Sequence, residues 1–209
     1  ENIIDGKVTI NDIVDVDVSD VMNRKINKPI KELLKKNIYN KNILVTGAGG
    51  SIGSELCRQI LSLGPLKLVL YELSEYSLYK IDYELREINE DIEIVTILAT
   101  VLNKESVENT YRKHNIHTVY HAAAYKHVPL VESNPISGIL NNIVGTYNIV
   151  KYGTENNVES LILISTDKAV RPTNIMGATK RFSELILQGY SKSNNHKTIL
   201  SMVRFGNVL

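Results

Sequence analysis

The sequence predicts an α/β fold with a doubly wound parallel sheet, and three observations lead to that prediction. Short apolar runs typical of buried strands alternate with segments that have apolar residues at helical spacing. The first apolar run ends in a glycine-rich loop, and polar residues follow several later runs. The chain of 209 residues is 43% hydrophobic and 22% charged, which is the composition of a globular domain.

The alternation is regular from residue 41 onward. We predict buried strands at residues 42–46, 67–72, 92–98, 117–123, 159–165 and 197–205. We predict helices between them at residues 51–63, 74–89, 104–114, 135–156 and 176–193. Strands that alternate with helices form a parallel sheet that is covered by helices on both faces.

Residues 1–40 differ from the rest of the chain and are predicted to form a lead-in segment. Residues 7–20 alternate loosely, as in a short strand or an extended linker, and residues 29–38 place apolar side chains on one helical face. The α/β domain is predicted at residues 41–209. The chain opens without an initiator methionine, so we expect it to be a piece of a longer protein.

Charge and composition argue against several classes of partner. Lysine and arginine number 24 against 23 acidic residues, so no net positive field is available to hold nucleic acid. No apolar run reaches the roughly 18–20 residues of a membrane span, and we expect none in this chain. A single cysteine, Cys57, fits a reducing, cytoplasmic setting. His114 and His117 lack further ligands at useful spacing, so we predict no metal.

The loop after the first predicted strand has the spacing G-x-x-G-x-x-G. In a dinucleotide-binding loop the first glycine allows a tight turn, the second lets backbone approach the pyrophosphate, and the third allows close helix packing. The phosphates then lie at the N-terminus of the following helix. A purely structural turn is the alternative. The predicted cofactor-binding residues in this loop are Gly47, Gly49, Gly50, Ser51, Ile52 and Gly53.

The second predicted strand ends in an acidic residue, Glu72, nineteen positions after Gly53. A carboxylate at this position can accept hydrogen bonds from both hydroxyls of the adenosine ribose, and it would repel a 2′-phosphate. No arginine follows in the next three residues to bind such a phosphate. NAD is therefore favoured over NADP, unless Glu72 is only a solvated acid at the start of a helix.

The segment HAAAYKH (121–127) places further candidates at the carboxyl end of a strand, where ligands bind in this fold. Three small residues, Ala122, Ala123 and Ala124, let backbone pack against a cofactor. Lys126 and His127 follow as candidates for substrate binding, or alternatively as residues that cap the next helix.

The segment STDKAVRPTNIMGATK (165–180) brings Thr166, Asp167 and Lys168 to the same crevice. Lys180 lies inside the next helix, and Met176 stands four residues before it, where a Tyr-x-x-x-Lys pair would have its tyrosine. A thioether cannot transfer the proton that a phenol transfers. Any proton transfer in this crevice must therefore use other residues.

These motifs together resemble the extended short-chain dehydrogenase/reductases, which have a Rossmann, NAD(P)-binding fold. HAAAYKHVPLVESNP and STDKAVRPTNIMGATKR resemble, more narrowly, the UDP-N-acetylglucosamine 4,6-dehydratases of bacterial polysaccharide and glycan pathways, in their membrane-anchored, configuration-retaining branch. The resemblance implies a UDP-sugar substrate, a homo-oligomer, and a parent protein at the cytoplasmic face of the inner membrane. It covers about residues 40–209, and we expect the C-terminal substrate-binding portion of the family to lie outside this chain.

Two departures from the family pattern concern the cofactor. Ala99, Thr100 and Val101 stand where many members have Gly-Asp-Val, so the usual aspartate contact to adenine is absent. The acid after the second strand is glutamate rather than the commoner aspartate.

The resemblance implies a reaction in which hydride leaves C4 of the sugar for NAD, water is eliminated across C5–C6, and the hydride returns to C6. Lys168 is the expected base at C5, with its pKa lowered by neighbouring positive charge. Asp167 is the expected acid for the C6 hydroxyl, provided that partly apolar surroundings keep it protonated. A backbone turn near Arg171 and Pro172 is needed for the two side chains to reach different atoms.

The remaining implied roles are distributed over the same crevice. Thr166 would bind the C4 oxygen, Lys180 would bind the nicotinamide ribose, and Met176 would fill the place of the tyrosine. Thr166, Lys180, a water and Asp167 stay open as the group that deprotonates the C4 hydroxyl. The expected substrate-binding residues are Lys126, His127, Asn142 and Arg181.

Two other functions stay open from the sequence. A nucleotide-sugar C4 epimerase or reductase is one, and the missing tyrosine counts against it because those reactions depend on the phenol. A non-catalytic dinucleotide-binding module is the other, and it would suit a chain that lacks its substrate-binding portion.

Overall fold

A computed structural model describes residues 30–193 and 195–206. The strand or linker predicted at residues 7–20 lies outside these ranges. The strands are β1 (Asn42–Thr46), β2 (Lys67–Glu72), β3 (Glu93–Leu98), β4 (Thr118–His121), β5 (Ser160–Thr166) and β6 (Ile199–Phe205). The helices are α1 (Lys31–Lys36), α2 (Ser51–Ser62), α3 (Glu75–Ile88), α4 (Lys104–His114), α5 (Val128–Ser133), α6 (Pro135–Ile139), α7 (Gly145–Glu155) and α8 (Ile175–Ser191).

The strands form one sheet in the order β3-β2-β1-β4-β5-β6, and every neighbouring pair is parallel. The chain moves outward from β1 to β3 and then returns to place β4 on the other side of β1. In sheets of this kind, ligands bind outside the carboxyl ends of the strands at the point where the order reverses. The predicted doubly wound parallel sheet is confirmed, and the reversal lies between β1 and β4.

Strand β1 separates two buried clusters. Ile43 and Val45 pack on one side with Ile60 of α2 and other residues of α2 and α3, while Leu44 packs on the opposite side with Ile149 of α7. Successive residues of a strand point to opposite faces, so a strand covered on both faces reads as a continuous apolar run. Each fully buried aliphatic side chain of this kind contributes about 1.5–3 kcal/mol, and the two clusters together hold the strand ends in fixed positions.

Side-chain caps define where three of the longer helices begin. Ser74 accepts a hydrogen bond from the N–H of Ser77 at the start of α3. Asn103 and Asn174 cap α4 and α8 in the same way. Such a cap satisfies one of the N–H groups that a helix leaves unpaired at its N-terminus, which is worth about 1 kcal/mol.

Strand β4 ends at His121 rather than at the predicted residue 123. The chain leaves the sheet there because it passes against the glycine loop: a Cβ added to Gly47 would lie 2.7 Å from the backbone nitrogen of Ala123. The following short helix α5 was not predicted, and Pro129 stands in its first turn. The carboxyl end of β4 therefore leads directly into a loop that faces the ligand side of the sheet.

The long helix predicted at residues 135–156 is not a regular α-helix. A π-helical turn, Leu140–Val144, lies between α6 and α7. Within it, the consecutive residues Asn141 and Asn142 are both buried. Single π turns within helices occur frequently at functional sites, and this one faces the loop after β4.

Among the described residues, no helix combines the length and the apolar character needed to span a bilayer.

Candidate active site

Three adjoining cavities run along the carboxyl edge of the sheet and form one groove. The β2 cavity, of about 210 Å³, lies between the glycine loop and the end of β2. The central cavity, of about 730 Å³, lies between the glycine loop and α5. The β5 cavity, of about 490 Å³, lies between the end of β5 and the start of α8. Ala122, Ala124 and Tyr125 line all three, so the loop after β4 is their shared wall.

The glycine loop tolerates no side chain at three of its positions. Gly47 has φ +68°, a left-handed conformation that favours glycine. A Cβ on Gly53 would lie 1.9 Å from the carbonyl oxygen of Gly47, and a Cβ on Gly49 would lie 2.5 Å from the Ser77 side chain. Gly50, Ser51 and Ile52 line the central cavity at the N-terminus of α2. The loop geometry fits a pyrophosphate held by backbone N–H groups.

Glu72 lines the β2 cavity and is tied to the glycine loop. Its Oε2 accepts from the N–H of Gly49 at 3.0 Å, and its Oε1 accepts from the N–H groups of Leu73 and Ser74 at 2.8 and 3.0 Å. A carboxylate has about four acceptor positions. Three are used within the protein, which leaves about one for a ribose hydroxyl where the sequence led us to expect two.

Asn142 does not contact the groove as a substrate ligand would, which corrects our expectation. It is 1% exposed. Its Oδ1 accepts from the N–H of Tyr125 at 2.8 Å, and its Nδ2 donates to the carbonyl of Tyr125 at 3.0 Å and to Thr179 Oγ1 at 2.9 Å. The amide of Asn142 is thus occupied in holding the loop after β4. Its role is to position that loop.

Lys126 and His127 are exposed and lie in the groove. Lys126 lines both the central and the β5 cavities, whereas His127 lines the central cavity and precedes α5. His127 makes no side-chain cap to α5. Both residues are therefore placed to meet a ligand that extends from the glycine loop toward β5.

The end of β5 turns sharply into a 3₁₀ helix, Asp167–Ala169. Thr166 Oγ1 donates to Asp167 Oδ1 at 3.0 Å, and Lys168 Nζ lies 3.3 Å from the same oxygen. Arg171, before Pro172, has φ +49°, which completes the backbone turn that the sequence analysis required. Thr166 and Lys168 line the β5 cavity.

Asp167 has surroundings opposite to those we expected. Its side chain is 54% exposed. The hydrogen bond from the Thr166 hydroxyl, followed by that from Lys168, holds the pKa of Asp167 below its ordinary value. In this structure Asp167 is therefore an ionised carboxylate at neutral pH, because the apolar cover that would keep it protonated is not formed by the described residues.

Lys180 is the lysine whose surroundings favour a neutral amine. It is 5% exposed and lines the β5 cavity. Among the described residues its Nζ makes no hydrogen bond. Burial lowers the pKa of Lys180 to about 8, and the charge of Glu184 opposes part of that fall. Met176 lines the same cavity and is 4% exposed, so it packs where the sequence placed it.

Arg181 does not line any of the three cavities, contrary to our expectation. Its Nη1 donates to Glu184 Oε2 at 2.9 Å. It points away from the groove because the next helical position after Lys180 is rotated by about 100°.

Three residues near the groove, two buried and one exposed, were missed by sequence reasoning. His121 is fully buried between Thr46 (2.6 Å from Nδ1) and Thr146 (3.0 Å from Nε2). Burial, with the charge of Lys180, lowers the pKa of His121 to about 3. The others are Glu184 and Arg204. The spacing of Glu184, four residues after Lys180, is a signal that could have drawn attention to it.

The fold and groove define a class of protein. A doubly wound sheet with a glycine loop after β1, an acid at the end of β2 and a buried lysine after β5 is a dinucleotide-binding domain of the extended short-chain dehydrogenase/reductase class. More particularly, the chain belongs to the polysaccharide biosynthesis protein family, whose sequence model matches residues 43–209. The resemblance predicted from the motifs is confirmed at the level of the family.

Two curated relatives agree with this assignment. The capsular polysaccharide biosynthesis protein CapD of Staphylococcus aureus is 44% identical over 100% of this chain and 35% of its own length. A UDP-N-acetylglucosamine 4,6-dehydratase (inverting) of Campylobacter jejuni is 36% identical over 81% of this chain and 49% of its own length. The chain thus spans about a third to a half of the length of these relatives.

Solved structures agree at the level of the fold. The structure of Pen from Bacillus thuringiensis superposes with a TM-score of 0.77 at 32% identity, over 83% of this chain and 54% of the other. A UDP-glucose 4-epimerase from Stenotrophomonas maltophila, solved with bound NAD, gives a TM-score of 0.71 at 21% identity, over 78% of this chain and 52% of the other. The neighbour with NAD shows that this fold holds that dinucleotide.

Proposed function

We propose that the chain is the NAD-binding part of a dehydratase that converts UDP-N-acetylglucosamine to the UDP-4-keto-6-deoxy sugar for bacterial surface polysaccharide. The observation that carries the proposal is the composition of the β5 cavity. It combines Thr166, Lys168 and the buried Lys180 with Met176 in the position of a catalytic phenol. This set offers groups for proton transfer, and Met176 stands where the phenol of simple oxidation would stand, four residues before Lys180; Tyr125, which also lines this cavity, belongs to the loop after β4.

The residues of the groove fit NAD. The N–H groups at the start of α2 suit the pyrophosphate, and the last acceptor position of Glu72 suits a ribose hydroxyl while disfavouring a 2′-phosphate. Lys180 has a buried ammonium that no described residue hydrogen-bonds, as expected of a group that meets a ribose of the cofactor. Bound NAD would supply a temporary acceptor for hydride.

Lys180 is the group we favour for the proton of the C4 hydroxyl. With its pKa lowered to about 8 by burial, a substantial fraction of Lys180 is neutral slightly above neutral pH, and a neutral amine can accept that proton. Asp167 is too exposed to be preferred, and Thr166 has a suitable hydroxyl to pass the proton onward. Thr166 and Lys180 line the same cavity.

Lys168 remains our proposed base at C5, and Asp167 our proposed acid at C6. The 4-keto group acidifies the C5 proton, so an amine suffices to remove it. Asp167 can act as an acid once substrate and the remainder of the protein cover it, since burial of a carboxylate raises its pKa. Lys126 and His127 are proposed to contact the UDP-sugar from the central cavity.

The decisive experiment follows the sugar through the reaction. A chain extended at its carboxyl end is mixed with NAD and UDP-N-acetylglucosamine in deuterated water and followed by NMR. We expect a 4-keto-6-deoxy product with deuterium at C5. A C4 epimer that retains its C6 hydroxyl would show instead that the protein is an epimerase, the function that Met176 argues against. The same spectra report the configuration at C5, which we predict to be retained.

A further inference from the structure

A fully buried carboxylate lies beneath the β5 cavity. Glu184 is 0% exposed and stands one helical turn after Lys180. Its Oε1 accepts from Ser165 Oγ at 2.7 Å and from Arg204 Nε at 2.8 Å. Its Oε2 accepts from Arg204 Nη2 at 2.7 Å and from Arg181 Nη1 at 2.9 Å. The two-pronged contact with Arg204 is the strong and geometrically specific form of ion pair.

These contacts join the ends of two strands to one helix. Ser165 and Arg204 are register partners in β5 and β6, and Glu184 of α8 bonds to both. Ser165 directly precedes Thr166, and Lys168 follows in the 3₁₀ helix. The start of α8 also packs tightly there, since a Cβ on Gly177 would lie 2.4 Å from the carbonyl oxygen of Lys168. The position of the proposed reactive groups thus depends on where Glu184 holds the end of β5.

The charges around Lys180 make Glu184 its main electrostatic partner. His121 of β4, which is fully buried and stays neutral, lies near Lys180. Lys126 and Lys168 line the same cavity, and the exposed Asp167 lies 3.3 Å from Lys168 Nζ. The charge of Glu184 is the influence that opposes the lowering of the Lys180 pKa by burial. Arg181 and Arg204 both donate hydrogen bonds to the carboxylate and offset part of its charge.

Glu184 itself remains ionised at every pH at which the protein would work. Burial alone would raise the pKa of Glu184, but the hydrogen bonds from Arg204, Ser165 and Arg181 outweigh it and lower this pKa to about 2. A permanent negative charge therefore lies one turn from an ammonium whose protonation is close to balance.

We propose that Glu184 is a positioning residue that fixes the end of β5 beneath the groove and supplies, from one helical turn away, a negative charge that favours the protonated form of Lys180. The inference rests on the proposed function for what Lys180 does to a substrate. Two effects do not depend on the proposed function: the position of the end of β5 and the protonation of Lys180. Both can be measured in the chain without cofactor or sugar.

The charge effect is tested by the titration of Lys180 itself. The ligand-free chain is labelled with ¹³C at the lysine Cε, and the Lys180 signal is assigned by its loss in Lys180→Met. We expect Glu184→Gln to move the Lys180 midpoint to lower pH by about one unit, because an opposite charge at short range is lost. Arg204→Met should move the midpoint to higher pH, because the carboxylate is then less neutralised.

A matched control uses another glutamate that is paired with arginine. Glu55 is paired with Arg58 on α2 and is 55% exposed. Glu55→Gln should leave the Lys180 midpoint unchanged. An equal midpoint in folded Glu184→Gln and wild type would overturn the charge effect. If Glu184→Gln does not fold, Arg204→Met decides: a midpoint that stays in place or falls would overturn it as well.

The positioning effect is tested by Ser165→Ala, which removes one hydrogen bond and no charge. We expect the backbone amide signals of Thr166 and Lys168 to shift while the Lys180 midpoint stays in place. Unmoved amide signals would refute the positioning role. The extended protein could show no dehydratase activity while the charge effect and the positioning effect are both measured. That result would refute the proposed function and leave this inference standing.

Discussion

The two ends of the groove are built in different ways. At the β2 cavity the protein offers mainly backbone of the glycine loop, with a left-handed Gly47, and a carboxylate, Glu72, that three N–H groups already hold. At the β5 cavity it offers side chains from three elements: Thr166 at the end of β5, Lys168 in the 3₁₀ helix, and Lys180 within α8. The binding groups of the β2 cavity depend on the backbone conformation, and those of the β5 cavity depend on the burial and charge of side chains.

Because the two ends differ in this way, they should respond differently to pH and to mutation. Backbone N–H groups do not titrate, so the β2 end keeps its character across the usual pH range. The β5 end contains a lysine whose proton is balanced between burial and one carboxylate. A dinucleotide site can thus combine a rigid recognition end with an adjustable reactive end.

The largest expected effect comes from the rigid end. Gly53→Ala places a Cβ 1.9 Å from the Gly47 carbonyl oxygen, so the loop must move at a cost of about 3 kcal/mol. We expect the free energy of unfolding to fall accordingly and NAD affinity to drop by at least about tenfold. Denaturant unfolding and calorimetric titration with NAD measure the two.

Gly189→Ala is the control for that experiment. No heavy atom lies within 4 Å of a Cβ added there, so alanine in this helical position should stabilise the chain by about 0.5–1 kcal/mol. Normal NAD binding by Gly53→Ala would contradict a loop closed by close packing.

Lys180→Met tests the adjustable end and should increase stability. The pKa of Lys180 is lowered from 10.5 to about 8, so the folded state binds this proton less tightly than the unfolded state. The cost of the buried charge is fully present below pH 8 and disappears as the pH rises toward 10.5. At 1.36 kcal/mol per pKa unit, the variant should gain at most about 3 kcal/mol at pH 7.

The measurement is the free energy of unfolding of both proteins at pH 7 and pH 10. The difference between variant and wild type should shrink at the higher pH. Lys80→Met, at an exposed lysine of α3, should show no such pH dependence. A constant difference for Lys180→Met would mean that Lys180 is not desolvated.

Asn142→Ala tests the wall that the two ends share. The variant leaves the N–H and carbonyl of Tyr125 without their partner, at a cost of about 2 kcal/mol. We expect faster hydrogen exchange at the Tyr125 amide together with lower stability. Asn134→Ala, an exposed asparagine, should change the unfolding free energy by less than about 0.5 kcal/mol. An unchanged Tyr125 exchange rate would show that Asn142 does not hold this loop.

The smallest effect on cofactor binding is expected at Glu72, and it concerns the selectivity between NAD and NADP. Glu72→Gln keeps an acceptor oxygen but loses the charge that would repel a 2′-phosphate. Glutamine has one acceptor oxygen, so the variant also loses the hydrogen bond from Gly49 or those from Leu73 and Ser74. The ratio of NADP to NAD affinity should rise by up to about tenfold, or about 1.4 kcal/mol. Glu75→Gln, three residues later at the exposed start of α3, should leave the ratio unchanged. If both variants behave alike, NAD preference does not come from Glu72.

The sequence predicted the features that local patterns determine. Apolar runs located the strands because both sheet faces are covered, and the glycine spacing located the tight loop at Gly47. Strand ends were predicted to gather Thr166, Lys168 and Lys180, and the three residues do line one cavity.

What the sequence did not predict depends on contacts between distant elements. Glu184 is buried because Arg204 of β6 and Ser165 of β5 meet it, and neither pairing can be read from spacing alone. Asp167 appeared suited to an apolar site, yet its position after β5 leaves it exposed. Asn142 appeared suited to a substrate, but the π turn directs it inward to Tyr125.

The hydrogen bonds around His121 fix which of its nitrogens carries the proton. Thr146 donates its hydroxyl hydrogen to the carbonyl of Asn142 or to Ser183, so it must accept from His121, whose Nε2 is therefore protonated. Nδ1 then accepts from Thr46, which in turn accepts from the N–H of Ala123 at 3.4 Å. The result is a chain of hydrogen bonds whose donors all point the same way, from the loop after β4 to the π turn that precedes α7. We therefore expect a ligand that polarises the N–H of Ala123 to shift the ¹⁵N resonances of His121, although the ligand does not contact His121.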